Sequence, residues 1–228
     1  MKKGVKLIIG LLLISIIALG IYNECKYDDV FYVFRPSISI ETISCVNDLD
    51  QDGINDQADI IEGAKLEIKN HTKYKSGYYA GGYPPENEGV CTDVIWRALS
   101  NAGYILKDNI DKDIEMNTDN YPRIDKIDTN IDFRRVKNQY VFIKKHMTNL
   151  PMEVIPYDKN NLTQWQGGDI VVLSRPDHIA IISDKRRKDG VPYVIHNSYS
   201  YPKEEDRLLI WSNNNNIIGH FRFVNIEL

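Results

Sequence analysis

The chain has no surplus of positive charge: 28 Lys and Arg stand against 32 Asp and Glu, a formal charge of −4 with five His left neutral. A protein that captures nucleic acid through its bulk field needs the opposite balance, so that class is excluded. Cysteine is scarce, and three in 228 residues do not make a disulfide scaffold. No CxxC or HxxxH pair occurs, so a Cys/His zinc site would need ligands from widely separated positions and is set aside. Charged residues at 26% and hydrophobic ones at 43% lie near the globular average, which excludes wholesale disorder and a multi-span membrane protein. The length suits one domain of about 150 to 200 residues with an appendage.

What is present starts with a membrane address. Lys2, Lys3 and Lys6 precede an apolar stretch from Leu7 to Tyr22. Its length lies between the roughly 7 to 15 residues of a signal-peptide core and the roughly 17 to 25 of a spanning helix. Ala18-Leu19-Gly20 offers small residues for a signal peptidase, whereas Ile21-Tyr22 continue the run and favour retention. Residues 1–24 are therefore read as a signal anchor or signal peptide, with the lysines left in the cytoplasm and the rest exported. An amphipathic core helix is excluded because no polar face recurs. Tyr22-Asn23-Glu24 lacks the small residues that lipoprotein processing at Cys25 would require.

Residues 25–59 read as an extracytoplasmic linker carrying an acidic loop, Asp48 to Asp59. Oxygen ligands stand at positions 1, 3, 5, 9 and 12 of a twelve-residue loop, and Gly53 at position 6 allows the sharp turn. Calcium takes six to eight hard oxygen ligands, and this spacing lets Asp48, Asp50, Asp52, the Ile54 carbonyl and Asp59 converge, with Asp56 acting through water. The pattern resembles the calcium loops of EF-hands and dockerin repeats, with Asp in place of the usual final Glu. Ile60 to Ile68 supplies the exiting helix. A single loop is expected to hold Ca2+ as a structural clip, with no cofactor for catalysis. Its five aspartates account for most of the −6 carried by residues 25–228, so the charge is not a substrate signal.

The chemistry is expected in residues 60–228. Gly77 to Gly89, rich in Gly, Tyr and Pro, delivers the chain to a helix over Val90 to Gly103, in which Cys91, Ile95, Ala98, Leu99 and Ala102 recur at helical spacing and Gly103 is placed to end the helix. Asp93 and Arg97 are predicted to form an i,i+4 pair. Cys91 falls in the first turn, where exposed amides and the positive end of the dipole stabilise a thiolate and can hold an oxyanion. Short strands follow at Asp169 to Leu173, His178 to Ile182, Tyr193 to Asn197 and Ile217 to Ile226. If the central hairpin is symmetric about Arg187, His178 lies directly opposite His196, with both rings on one face. One imidazole could then take the Cys91 proton and the other orient it, which is the logic of a triad; a one-residue slip would break it. Asp93 and Asn197 are candidate supports beside the nucleophile and His196. His71, His146 and His220 read as surface or supporting groups, and Arg186-Arg187 as a solvated turn. Asp132, Arg134 and Arg135 either clamp a substrate carboxylate or pair internally, with internal pairing favoured.

Gly89-Val90-Cys91-Thr92-Asp93-Val94, Asn130-Ile131-Asp132-Phe133-Arg134-Arg135-Val136, Gly168-Asp169-Ile170-Val171, His178 to Asp184, Val194 to Asn197 and Gly219-His220-Phe221-Arg222 together resemble the bacterial family called domain of unknown function 1287, over about residues 60 to 226. The resemblance implies the papain-like NlpC/P60 superfamily of cell-wall cysteine hydrolases, with CHAP amidases also similar. It implies an α+β domain whose catalytic helix packs on a small antiparallel sheet, and transfers the superfamily pattern onto Cys91, His178 and His196. Thr92-Asp93 stands where familiar members have Ser-Gly, and Asp108 to Leu162 is a long insertion, so specificity does not carry over. The expectation is an exported cysteine hydrolase acting on an amide bond in peptidoglycan peptides. Its alternatives are a non-catalytic cell-wall binding module, or a thiol acyltransferase or deamidase.

Overall fold

The computed structural model describes residues 2–43 and 46–223, which leaves Cys45 and the end of the last predicted strand outside the described residues. The chain divides into two compact units, meeting at Ser37 and Ile38. The first is built on helix α1, Lys2–Tyr27. Its Gly4–Tyr27 portion is long and apolar enough to cross a membrane, at about 1.5 Å per residue against a hydrocarbon core of about 30 Å. Its apolar side chains are exposed all round, as a membrane anchor or signal segment requires.

The second unit is a mixed α+β domain. In chain order it contains α2 (Asp56–Lys69), β1 (Lys73–Tyr74), β2 (Glu88–Gly89), α3 (Cys91–Asn101), α4 (Leu106–Asn117), α5 (Val136–His146), β3 (Thr148–Asn149) and α6 (Lys159–Thr163). There follow β4 (Ile170–Leu173), β5 (His178–Arg186), β6 (Pro192–His196), β7 (Lys203–Glu205), α7 (Leu208–Asn213) and β8 (Ile217–Arg222). Strands β3-β8-β4-β5-β6-β7 form an antiparallel sheet in that order, and β1 and β2 form a separate parallel pair.

Alternation along the central strands builds two cores. Ile170, Val172, Ile179, Ile181 and Ile195 meet Ile95, Ala98 and Leu99 of α3 on one face. Val171, Ala180, Ile182 and Val194 meet Trp165, Leu162 and Leu208 on the other. Ile38 and Ile40 pack against this second core, so the domain takes in residues well ahead of position 60. Helices α2 and α3 cross closely because Gly63 has no side chain: a Cβ there would lie 2.8 Å from Ala98 Cα.

Two expectations about polar residues are corrected. His220 is in the core, stacked on Trp165 at 3.6 Å and bonded to Asp169 at 3.0 Å, with Arg222 also on Asp169. Its strand is paired on both sides, by β3 and β4, and in the core a polar ring persists only if both nitrogens are paired; Pro151 O takes the other at 2.7 Å. Arg187 is likewise buried, because Asp189 within the hairpin turn and Asp206 just after β7 neutralise it.

Candidate active site

Helix α3 starts at Cys91 because Asp93, at its third position, accepts the Val90 N–H at 2.7 Å and satisfies a donor that the helix itself leaves free. Asp93 is fully buried and accepts three more hydrogen bonds, from Trp96 Nε1 at 2.8 Å and from Arg134 Nε and Nη2 at 2.7 Å each. Thr92 donates to Arg134 O at 2.8 Å, and Gln139 donates to Thr92 O at 3.2 Å. The Thr92-Asp93 pair and the Asn130 to Val136 motif are thus two halves of one brace on the first turn. Arg134 pairs internally, as does Arg135 with Asp132 at 3.4 Å. The predicted Asp93–Arg97 pair does not form. A bidentate guanidinium outcompetes a neighbour one turn along the helix, and Arg97 reaches Glu67 of α2 at 2.7 Å instead.

The backbone amides of Ile179, the residue after His178, of Thr92 and of Cys91 itself act to lower the Cys91 thiol pKa. These favour a thiolate, as the helix start led us to expect, but the side chain is only 7% exposed and burial dominates, pushing the thiol up to about 11. Among the described residues no hydrogen bond joins Sγ to His178. Burial raises the hydroxyl pKa of Tyr74 in β1.

The histidines meet, though not by the predicted pairing. Ile181 lies opposite Ile195 and Ile182 opposite Val194, a register that sets His196 against Ala180, two residues from His178. A shift of two keeps both rings on one face, and they touch diagonally, His178 Nε2 to His196 Nδ1 at 2.8 Å. The hairpin turns beyond Arg187 because β5 runs on to Arg186, which pairs with Pro192, and the ladder shifts between Ile182 and Arg186. Burial, followed by the charge of His196, lowers His178 to about 3, and burial likewise lowers His196.

Two neighbours were not foreseen. Glu205 Oε2 stands 3.7 Å from His196 Nε2, because β7 pairs His196 with Lys203 and puts Glu205 on the same face. Trp211 of α7 sets its ring edge-on to both imidazoles, 5.3 Å from His196 and 6.0 Å from His178. A polar Lys-Glu-Glu strand gives no periodic apolar signal, so only the turn residues ahead of it could have hinted at another hairpin. Asn197 does not reach the imidazoles as a partner; its Nδ2 bonds Gly89 O at 3.3 Å and Thr72 O at 3.4 Å, bracing the strands that lead to Cys91.

In the acidic loop, Asp48, Asp50 and Asp52 carry carboxylate oxygens that lie within 4.8 Å of one another. Asp52 Oδ1 accepts the Ile54 N–H at 2.8 Å, so Ile54 stays within the loop. Asp56 departs from expectation. It opens α2, and its two oxygens accept from Leu49 N–H at 2.8 Å and Tyr104 Oη at 2.6 Å, so both are engaged by protein donors. Asp59 is buried in the first turn of α2, where desolvation and then the charges of Asp52, Asp50, Asp56 and Glu62 raise its carboxyl to about 6.

The Domain of unknown function (DUF1287) family matches residues 61–223, spanning the helix that carries Cys91, the Arg134 brace and the histidine hairpin. The chain belongs to the DUF1287 family. Among relatives of this DUF1287 protein, the Escherichia coli (strain K12) protein called "Uncharacterized protein YijF" is 34% identical over 174 residues, 72% of this chain and 80% of the relative. No solved structure is a significant match.

Proposed function

We propose that this DUF1287 protein is an exported cysteine hydrolase of papain-like, NlpC/P60-type fold that cleaves an amide bond in peptidoglycan peptides. The observation that carries the reading is the His178–His196 pair at the start of the strand whose next amide, that of Ile179, acts to lower the Cys91 thiol pKa. His178 Nε2 is engaged by His196, which leaves Nδ1 for the thiol. For Nδ1 to accept, Nε2 carries the hydrogen and donates to His196 Nδ1, and His196 then presents Nε2–H to Glu205. Both pKa displacements favour the neutral forms, so the resting site holds thiol and imidazole. The thiol–imidazole hydrogen bond forms as substrate enters, a tightening common to sites seen without ligand.

The Cys91 proton then passes to His178 as sulfur bonds the carbonyl carbon, and the Cys91 amide stabilises the oxyanion. His178 gives the proton to the leaving amine as the C–N bond breaks. Water, deprotonated by the same ring, cleaves the thioester and restores the thiol. Export rests on α1, which is long and apolar enough to cross a membrane. The cell-wall substrate rests on export and on the family resemblance.

One observation favours a second reading, a non-catalytic cell-wall binding module: the thiol is nearly inaccessible and its pKa is raised by burial. Purified full chain in detergent, incubated with intact and digested cell wall, separates the two. New amine ends and shortened muropeptides that disappear with Cys91→Ala support hydrolysis. Binding without cleavage in both forms refutes it. Transferred acyl groups, or loss of an amide nitrogen without chain cleavage, would instead mark the acyltransferase or deamidase.

A further inference from the structure

Helix α1 ends in an apolar hook. Asp28, at φ +56°, takes the left-handed conformation that lets the chain reverse, and the residues after it run back along the helix they have just left. Three contacts fix the return. Asn23 Nδ2 donates to Val30 O at 3.1 Å, Val30 lies over Gly20 so closely that a Cβ there would meet its Cγ1 at 3.2 Å, and Tyr32 stacks on Tyr27 with ring centroids 3.7 Å apart. The hook is also closed within itself. Asp29 Oδ1 accepts the Phe31 N–H at 2.9 Å, Asp29 O accepts from Tyr32 N–H, Phe31 O accepts from Phe34 N–H, and Arg35 pairs with Asp29 at 3.0 Å.

Its side chains are sorted against water. Tyr32, which carries a hydroxyl, is turned inward and is 8% exposed, whereas Phe31 and Phe34 are 66% and 73% exposed, with Val30 and Val33 exposed beside them. A turn facing solvent would be sorted the other way, and so dense an apolar patch marks a contact surface. The helix says what covers it. Glu24 and Lys26 are the first charges after the apolar run that begins at Leu7, so the headgroups of a membrane crossed by α1 lie at their level. The hook, folded back as far as Asn23 and Gly20, lies at the acyl boundary just below them, and its patch continues the lipid-facing surface of α1. Asn23 fits the same depth. It is fully buried under the hook, so its amide is not presented to acyl chains.

We infer that residues 28–35 form a membrane-surface hook whose Phe31 and Phe34 rings insert into the acyl boundary on the exported side, beside α1. From residue 24 to 35 the chain carries three acidic and two basic side chains, so the contact is apolar insertion and not attraction to anionic lipid. Anchors at this level set the depth and rotation of a single span. The inference rests on α1 lying in a membrane, and is independent of the hydrolase chemistry.

The test uses the full chain with Phe34→Trp, an exposed position outside α1, in phosphatidylcholine vesicles brominated either near the headgroup end or near the methyl end of the acyl chains. Flotation with the vesicles reports insertion of α1. The difference in emission between the variant and the parent isolates the new indole from the three native tryptophans. That indole should be blue-shifted, and quenched about twofold more by bromine near the headgroup end, because the boundary lies roughly 5 to 10 Å deep. Phe31→Trp should behave alike, and the quenching should survive high salt. A protein that floats while its new indole emits as in water, unquenched by either lipid, overturns the hook and leaves the anchor standing. A protein that does not float overturns both. Quenching lost in high salt would mean electrostatic attraction, and a blue shift without quenching would mean that a protein surface covers the patch; either result overturns the inference.

Discussion

Replacing Asp93 tests whether the first turn of α3 depends on its buried ion pair. The two side chains are 0% and 2% exposed, and Asp93 accepts four hydrogen bonds at 2.7 to 2.8 Å. Asp93→Asn keeps the shape but turns an amide NH2 towards donors on Val90, Trp96 or Arg134, and leaves the guanidinium with Gly77 O as its remaining acceptor. Removing one partner of a buried pair costs about 3 to 5 kcal/mol, because the other charge stays desolvated. For a domain of this size that lowers the melting temperature by roughly 6 to 20 °C. Arg134→Met should cost less, since Asp93 keeps the Val90 and Trp96 donors. The double variant Asp93→Asn/Arg134→Met should be more stable than Asp93→Asn alone, with a coupling of about 2 to 3 kcal/mol. Urea unfolding of the four proteins, followed by tryptophan fluorescence, gives all the values needed. If Asp93→Asn costs under about 1 kcal/mol, or the two single losses simply add, the brace is not what holds the helix start.

Two further outcomes follow from burial. His178 is neutral in the fold down to about pH 3, whereas in the unfolded chain it takes a proton below its ordinary value of 6.5. Its contribution is therefore complete above pH 6.5 and is lost as pH falls, by about 1.4 kcal/mol per unit and so roughly 3 kcal/mol by pH 4. His178→Gln should flatten the stability curve between pH 6.5 and 4 by about that amount, and an unchanged slope in urea titrations at several pH values would contradict the assignment. At the helix crossing, Gly63→Ala introduces a Cβ 2.7 Å from Asn101 Cβ and 2.8 Å from Ala98 Cα. Overpacking outweighs the gain in helix propensity, so the variant should lose about 1 to 2 kcal/mol; a protein as stable as the parent would mean that the two helices separate freely.

The sequence by itself determined what short-range rules control. The apolar run of α1, the helix with Cys91 in its first turn and Gly103 beyond its end, and the strands that carry His178 and His196 all follow from periodicity, capping and turn residues. The shared face of the two histidines was also legible, because side chains alternate with period two and survive a register shift of two. Only the tertiary structure decided which groups meet. It paired Asp93 with Arg134 rather than Arg97, tied Asp56 to Tyr104 as well as to the acidic loop, and brought Glu205 and Trp211 to the histidines. It also set the charge state of the site. A helix start favours a thiolate through its nearby amides, but the free energy of an ion depends on all the water it has lost. That loss at Cys91 and His178 is fixed by segments folding in from far along the chain, which no local pattern records.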